Sequence, residues 1–152
     1  MRITLAAVGR AKPGPARDLY EQYVGRLNWR ITLKEVEERR AFPPGRLKER
    51  EGELLLAALP AGAKVVALDE SGKTLTSKAF ARLLGEWRDS GEQNIAFVIG
   101  GADGLSPAVR QAAHQTLAFG AMTWPHMLVR ALLAEQLYRA QSILAGHPYH
   151  RD

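Results

Sequence analysis

The sequence predicts an α/β fold: a mostly parallel sheet with helices on both faces. Short apolar runs alternate with amphipathic helical patterns along the whole chain, the signature of successive strand-helix-strand units. No connecting stretch is long or biased enough to act as a linker, and no internal repeat is visible, so residues 1–152 read as one domain. The loops after Asp69, Ile99 and Phe119 carry Gly or Pro and follow strands. In such sheets ligands collect beyond the carboxyl ends of the strands.

Each element has its own warrant. Residues 3–8 are a compact apolar run ended by Gly9, a buried strand. Pro13 and Pro15 precede a helical pattern of Leu19, Tyr20, Tyr23, Val24 and Leu27. Residues 30–36 alternate as a less buried strand, and Pro43-Pro44-Gly45 marks a turn. Leu47, Glu51, Leu54, Leu55 and Ala58 define a second helix, stopped by Pro60 and Gly62. Residues 64–69 form a third strand, followed by the polar loop 70–74. Phe80, Leu83, Leu84 and Trp87 mark the next helix, ended at Ser90-Gly91.

Residues 95–99 are the fourth strand and lead into Gly100-Gly101-Ala102-Asp103-Gly104. Ser106-Pro107 is a cap followed by proline, starting a helix expected to last to about Gln115. Residues 116–119 are a short fifth strand. The last helix spans about 126–145, with Gly146 as its stop.

Composition removes several function classes. An apolar fraction of 46% with 24% charged residues belongs to an ordinary globular protein. No apolar run is long enough to span a membrane, and the first residues lack the build of a signal peptide, so a cytoplasmic protein with no membrane role is expected. Without cysteine there is no disulfide, thiolate metal site or cysteine nucleophile. The net charge of +5 is compatible with nucleic acid. Its excess is mainly N-terminal, with 12 Lys or Arg against 8 acids in residues 1–60. The run Glu37-Glu38-Arg39-Arg40 reads as a solvated loop.

Four stretches are candidate sites. In Gly120-Ala121-Met122-Thr123-Trp124-Pro125, the proline holds Trp124 out of the helical region and places a helix N-terminus after the loop. That is either a ligand loop or an ordinary proline-started helix. The adjacent Gly100 and Gly101 imply close backbone approach, to a ligand or to another stretch of chain. Gly72-Lys73-Thr74 imitates a phosphate loop, but Ala67 replaces its first glycine and two carboxylates occupy the wrap, so a polar turn is favoured.

The fourth is the C-terminal helix with its tail. Leu128, Ala131, Leu132, Leu133, Ala134, Leu137, Tyr138, Ile143 and Leu144 cover most of the helix circumference. One sheet buries only one side, so a partner subunit is expected on the other. Arg130, Glu135 and Arg139 interrupt that surface, as an intrahelical pair or as site residues. The tail His147-Pro148-Tyr149-His150-Arg151-Asp152 is rich in groups that move protons or grip nucleic acid. No acid or further His cluster supports a metal there.

Together these stretches resemble the ribosomal large subunit methyltransferase H family, of the SPOUT class of RNA methyltransferases. The resemblance covers essentially the whole chain. It rests on residues 5–9, on Leu68-Asp69 with Gly72-Lys73, and on Ile99-Gly100-Gly101 followed by Gly104-Leu105-Ser106-Pro107. It continues through Pro125-His126, Leu128-Val129-Arg130, Glu135, residues 137–140 and the tail 147–151. Trp124 and Met127 depart from it, standing where a smaller apolar residue and a variable one are expected.

The resemblance implies methyl transfer from S-adenosylmethionine to N3 of a pseudouridine in 23S ribosomal RNA of the assembled ribosome, by a homodimer with a C-terminal trefoil knot and no metal. By position, the cofactor lies against Leu68, Gly100, Gly101, Gly120, Ala121, Met122, Thr123, Trp124 and Pro125. The imino nitrogen must lose its proton, which calls for an acceptor and for positive charge near the ring oxygens. His126, Arg130, Tyr149, His150 and Arg151 are the available groups, with Glu135 and Arg139 orienting them. A P-loop hydrolase using Lys73 and a non-catalytic RNA-binding module are the alternatives.

Overall fold

The computed structural model describes residues 1–151; Asp152, the end of the tail motif, lies outside the described residues. The chain order is β1 (Arg2–Val8), α1 (Pro15–Val24), β2 (Arg30–Val36), α2 (Arg46–Ala57), β3 (Lys64–Thr74), α3 (Ser77–Asp89), β4 (Asn94–Ile99), α4 (Pro107–Ala112), β5 (Gln115–Ala118) and α5 (His126–Leu144). The five strands pair in parallel in the order β2-β1-β4-β3-β5. The expected class is therefore the observed one.

Strand periodicity divides the core. Ile3, Leu5 and Ala7 of β1 and Ile95, Phe97 and Ile99 of β4 face one layer, with Ala131, Leu133 and Leu137 of α5. The alternate residues Ala6, Val8, Val65, Ala67 and Val98 face the other, with Leu55 of α2 and Val109 of α4. Successive side chains of a strand point to opposite faces, so two buried faces make the central strands β1 and β4 largely apolar, while β2 at the edge alternates. On the first face α5 lies against both α1 and α3. These contacts cover much of its broad apolar surface within one chain, so that breadth alone does not require the partner subunit expected from the sequence.

Two boundaries differ from expectation. The stretch 70–74 continues β3 instead of forming a loop, because the strand bulges and pairs again: Leu117 of β5 registers with both Leu68 and Lys73. A Cβ on Gly72 would lie 2.7 Å from the backbone of Thr116 and Leu117, so only glycine permits this approach. The phosphate-loop alternative fails here, since Lys73 and Thr74 belong to the strand. The fourth helix stops at Ala112, three residues early, because the chain must turn at Ala113 and His114 to enter β5 at Gln115.

The site is positioned by the end of this path. β4 inserts between β1 and β3, β5 adds outside β3, and α5 crosses back beneath the sheet to α1. That route is compatible with the C-terminal knot expected from the resemblance.

Candidate active site

The carboxyl ends of β3, β4 and β5 converge on one cleft of about 610 Å³, within the range of small-molecule sites. Of the nine residues expected to hold the cofactor, Leu68, Gly100, Gly101, Gly120, Met122, Thr123, Trp124 and Pro125 line it. Ala121 does not. His126 lines it too, at the start of α5. Sequence reasoning missed Asp69, Glu70, Asp103 and Arg110, which give the cleft its charge, and Ile99, Leu105, Phe119 and Val129, which give it apolar wall.

The walls are held from behind. Gly120 has φ +113°, a backbone state that side chains resist, and it lets the chain turn off β5. The Thr123 hydroxyl donates to Glu70 Oε2 at 2.7 Å, and the Trp124 indole N–H donates to the Phe119 carbonyl at 3.3 Å. Together they pin the 119–125 loop to β3 and to its own start. Asp69 accepts from the Ser71 N–H and hydroxyl and from Arg110 Nη2 at 2.8 Å. Burial works against the Asp69 charge, but these donors outweigh it and hold its carboxyl below the usual range.

The glycine pair serves packing more than expected. A Cβ on Gly100 would meet the Gly104 backbone at 2.7 Å, inside the tight turn that bridges Gly101 to Gly104. A Cβ on Gly101 would point to Val8 and Glu51, at 3.1 and 3.2 Å. Gly101 thus shows the cleft its backbone while its missing side chain makes room behind for α2. Glu51 itself is buried, and burial together with the Asp103 charge raises its carboxyl above the ordinary value. Its helical spacing among leucines was the signal that it faces inward.

The groups expected to do chemistry divide into two sets. Arg130 is 2% exposed and acts as a brace: Nη1 donates to Glu35 at 2.6 Å and Nη2 to the carbonyls of Val8 and Gly9, while its buried Nε has no acceptor among the described residues. It ties α5 to the ends of β1 and β2 and does not line the cleft. It therefore does not face this cleft, and its burial is offset by the carboxylate and the carbonyls that accept from it.

The second set is a network at the other end of α5. Arg139 donates through Nε and Nη2 to Glu135 Oε1 at 3.0 and 2.6 Å, and its Nη1 lies 3.1 Å from His150 Nδ1. The Tyr149 hydroxyl donates to the same Glu135 oxygen at 3.0 Å, while its ring packs edge-on against Tyr138 at 4.6 Å. Arg139 lies over the Tyr149 ring at 4.9 Å. Burial, then hydrogen bonds with Tyr23 and Glu135, push the Tyr149 hydroxyl well above its usual value, so it is a neutral donor. The tail thus folds back on its own helix. Arg151 is exposed beyond it.

Glu135 and Arg139 line a second cavity of about 550 Å³, between α3, α5 and β5. It shares Leu117, Ala118, Phe119, Gly120 and Trp124 with the cleft, so these residues form a common wall. None of Tyr149, His150 and Arg151 lines the cleft of its own chain.

A parallel α/β sheet with a backbone-walled cleft at three adjacent strand ends, beside a polar network on a buried C-terminal helix, defines a small-molecule-dependent enzyme. The chain belongs to the SPOUT methyltransferase family: the family model described as "Predicted SPOUT methyltransferase" matches residues 1–150. It is 67% identical over 151 residues to a protein of Rhodospirillum centenum named ribosomal RNA large subunit methyltransferase H, covering 99% of each chain. It is 55% identical over 152 residues to the protein of that name from Rhodospirillum rubrum, covering 100% of each. Its fold matches a probable methyltransferase from Bordetella pertussis with TM-score 0.57 and 17% identity, over 91% of this chain and 95% of that one. The chain is accordingly a methyltransferase that takes its methyl group from S-adenosylmethionine.

Proposed function

We propose that the chain methylates N3 of a pseudouridine in 23S ribosomal RNA of the assembled ribosome, as one domain, in the cytoplasm, and as a homodimer. The relatives' shared name, at high identity over full length, supports ribosomal RNA as the substrate. Among the described residues no helix is long and apolar enough to cross a membrane. The pseudouridine and its N3 follow from the family resemblance.

The cofactor belongs in the 610 Å³ cleft, where glycine backbone and apolar side chains suit an adenosine and the carboxylates suit a cation. When bound, S-adenosylmethionine supplies an electrophilic methyl group on a sulfonium. N3 would lose its proton to a protein acceptor, and its freed lone pair would then accept that methyl group, leaving the sulfur a neutral thioether. Glu135, His150 and His126 are the groups able to take the proton. Arg139 and Arg151 can hold charge on the ring oxygens.

The observation that carries the dimer is the shared wall. One chain's tail and Glu135–Arg139 network stand on the far side of residues 117–120 and Trp124 from its own cleft. A second copy's tail would bring the acceptor to the methyl group, making each site composite. Apolar side chains left exposed around that wall, Leu75, Met122 and Trp124, supply contact surface.

The test is methyl transfer from labelled S-adenosylmethionine to ribosomes lacking the endogenous modification, with calorimetry against S-adenosylmethionine and ATP. Label in a pseudouridine of 23S RNA and heat with S-adenosylmethionine alone are expected. Binding of ATP instead, or no label in RNA, would overturn the reading.

A further inference from the structure

The cleft carries the wrong sign for the protein it belongs to. The chain as a whole is +5, yet among the described residues Asp69, Glu70 and Asp103 line the cleft against a single Lys or Arg, Arg110, a formal −2 counting Asp, Glu, Lys and Arg. Asp69 and Arg110 neutralise each other at 2.8 Å. Among the described residues, Glu70 and Asp103 have no such cationic partner. Glu70 is fixed at the rim by the Thr123 hydroxyl, so its carboxylate is held at the cleft. Asp103 is carried on the turn between Gly101 and Gly104, and its field reaches Glu51 behind that turn.

The reaction changes the charge of what occupies this cleft. S-adenosylmethionine has a sulfonium, an ammonium and a carboxylate, a net charge of about +1 at neutral pH. After methyl transfer the sulfur is a neutral thioether and the net charge is about zero. Resting on the cofactor reading above, we infer that Glu70 and Asp103 are specificity-determining residues. They favour the cationic cofactor over its demethylated product, so that transfer itself loosens the occupant. Shape and hydrogen bonding hold the adenosine and amino-acid parts equally in both molecules. The unbalanced carboxylates act only on the charge that differs. At the screening typical of a solvated cleft, one charge at several ångströms alters affinity by roughly 3- to 10-fold. The same negative field repels RNA phosphates from the cofactor's pocket.

The experiment is calorimetry of S-adenosylmethionine and S-adenosylhomocysteine on wild type, Glu70→Gln and Asp103→Asn, at low and high salt. Glu70→Gln keeps an acceptor for Thr123 and removes only the charge. A thermal melt of each variant confirms that the fold is kept. Each variant is expected to bind S-adenosylmethionine roughly 3- to 10-fold more weakly while S-adenosylhomocysteine changes by less than about 2-fold. Salt should weaken the first ligand and leave the second nearly unchanged. Equal weakening of both ligands, or an unchanged ratio in both variants, would overturn the inference. A wild type that binds neither ligand would instead reject the cofactor reading, and this inference with it.

Discussion

The cofactor cleft and the network at the end of α5 are built in opposite ways. The cleft is shaped by turns at Gly100, Gly101, Gly104 and Gly120, between apolar walls and a few charged side chains. The network is made of side chains, with Glu135, Arg139, Tyr149 and His150 within 3.1 Å of one another in sequence of contact. Turns and apolar walls suit binding the same small molecule in a fixed pose. Titratable side chains suit a step in which a proton moves. Damage to the two regions should therefore differ in kind.

The largest expected effect comes from removing residues 149–152. Methyl transfer should fall by about 10³-fold, the scale of a lost proton-transfer group, with cofactor affinity within about 2-fold of wild type. Loss of cofactor binding in that truncation would mean that the tail belongs to the cleft. Next come the two arginines of α5. Arg130→Met leaves the Val8 and Gly9 carbonyls without the guanidinium and Glu35 with only the Ala11 N–H as donor, and should cost about 2–3 kcal/mol in urea unfolding. Arg139→Met should cost under about 1 kcal/mol while lowering transfer about 10²-fold. Equal stability losses would erase the distinction between brace and network.

A smaller effect belongs to Gly101. Because its missing Cβ faces Val8 and Glu51, Gly101→Val should destabilise the fold by about 1–3 kcal/mol and loosen the cleft through its backbone. A variant of wild-type stability that merely blocks cofactor would contradict that. The smallest concerns Glu51. Its carboxyl is raised in the folded protein, so its contribution is full below the ordinary carboxylate range and is lost as pH rises through the raised value. Glu51→Gln should raise the melting temperature by about 2 °C at pH 7, a gain that disappears near pH 4. Asp69, held low, works in the other sense: its stabilisation is present at neutral pH and lost on acidification.

How much was legible follows the same division. Strand alternation and the glycine and proline loops gave the fold class and the three loops that border the cleft, because backbone geometry is written locally in those residue types; the individual cofactor residues, all but one of which line the cleft, came from the family resemblance. Strand order was not legible: nothing in β4 states that it inserts between β1 and β3. The bulge of β3 was missed because Gly72 looks like a turn glycine until β5 is seen against it. Arg130 was read as reactive because an arginine in an apolar helix signals a partner without saying which. Its partners lie about 95 to 122 residues away in sequence.

The central claim is that one chain's cleft is completed by another chain's tail. It is tested most directly by co-expressing two inactive variants, Gly120→Val, which cannot adopt the left-handed turn of the cleft, and the chain lacking residues 149–152. In a mixed dimer the first supplies an intact tail to the second's intact cleft. Half of randomly paired dimers then hold one working site of two, and methyl transfer should return to about a quarter of wild type. Activity no higher than that of either variant alone would contradict the composite site.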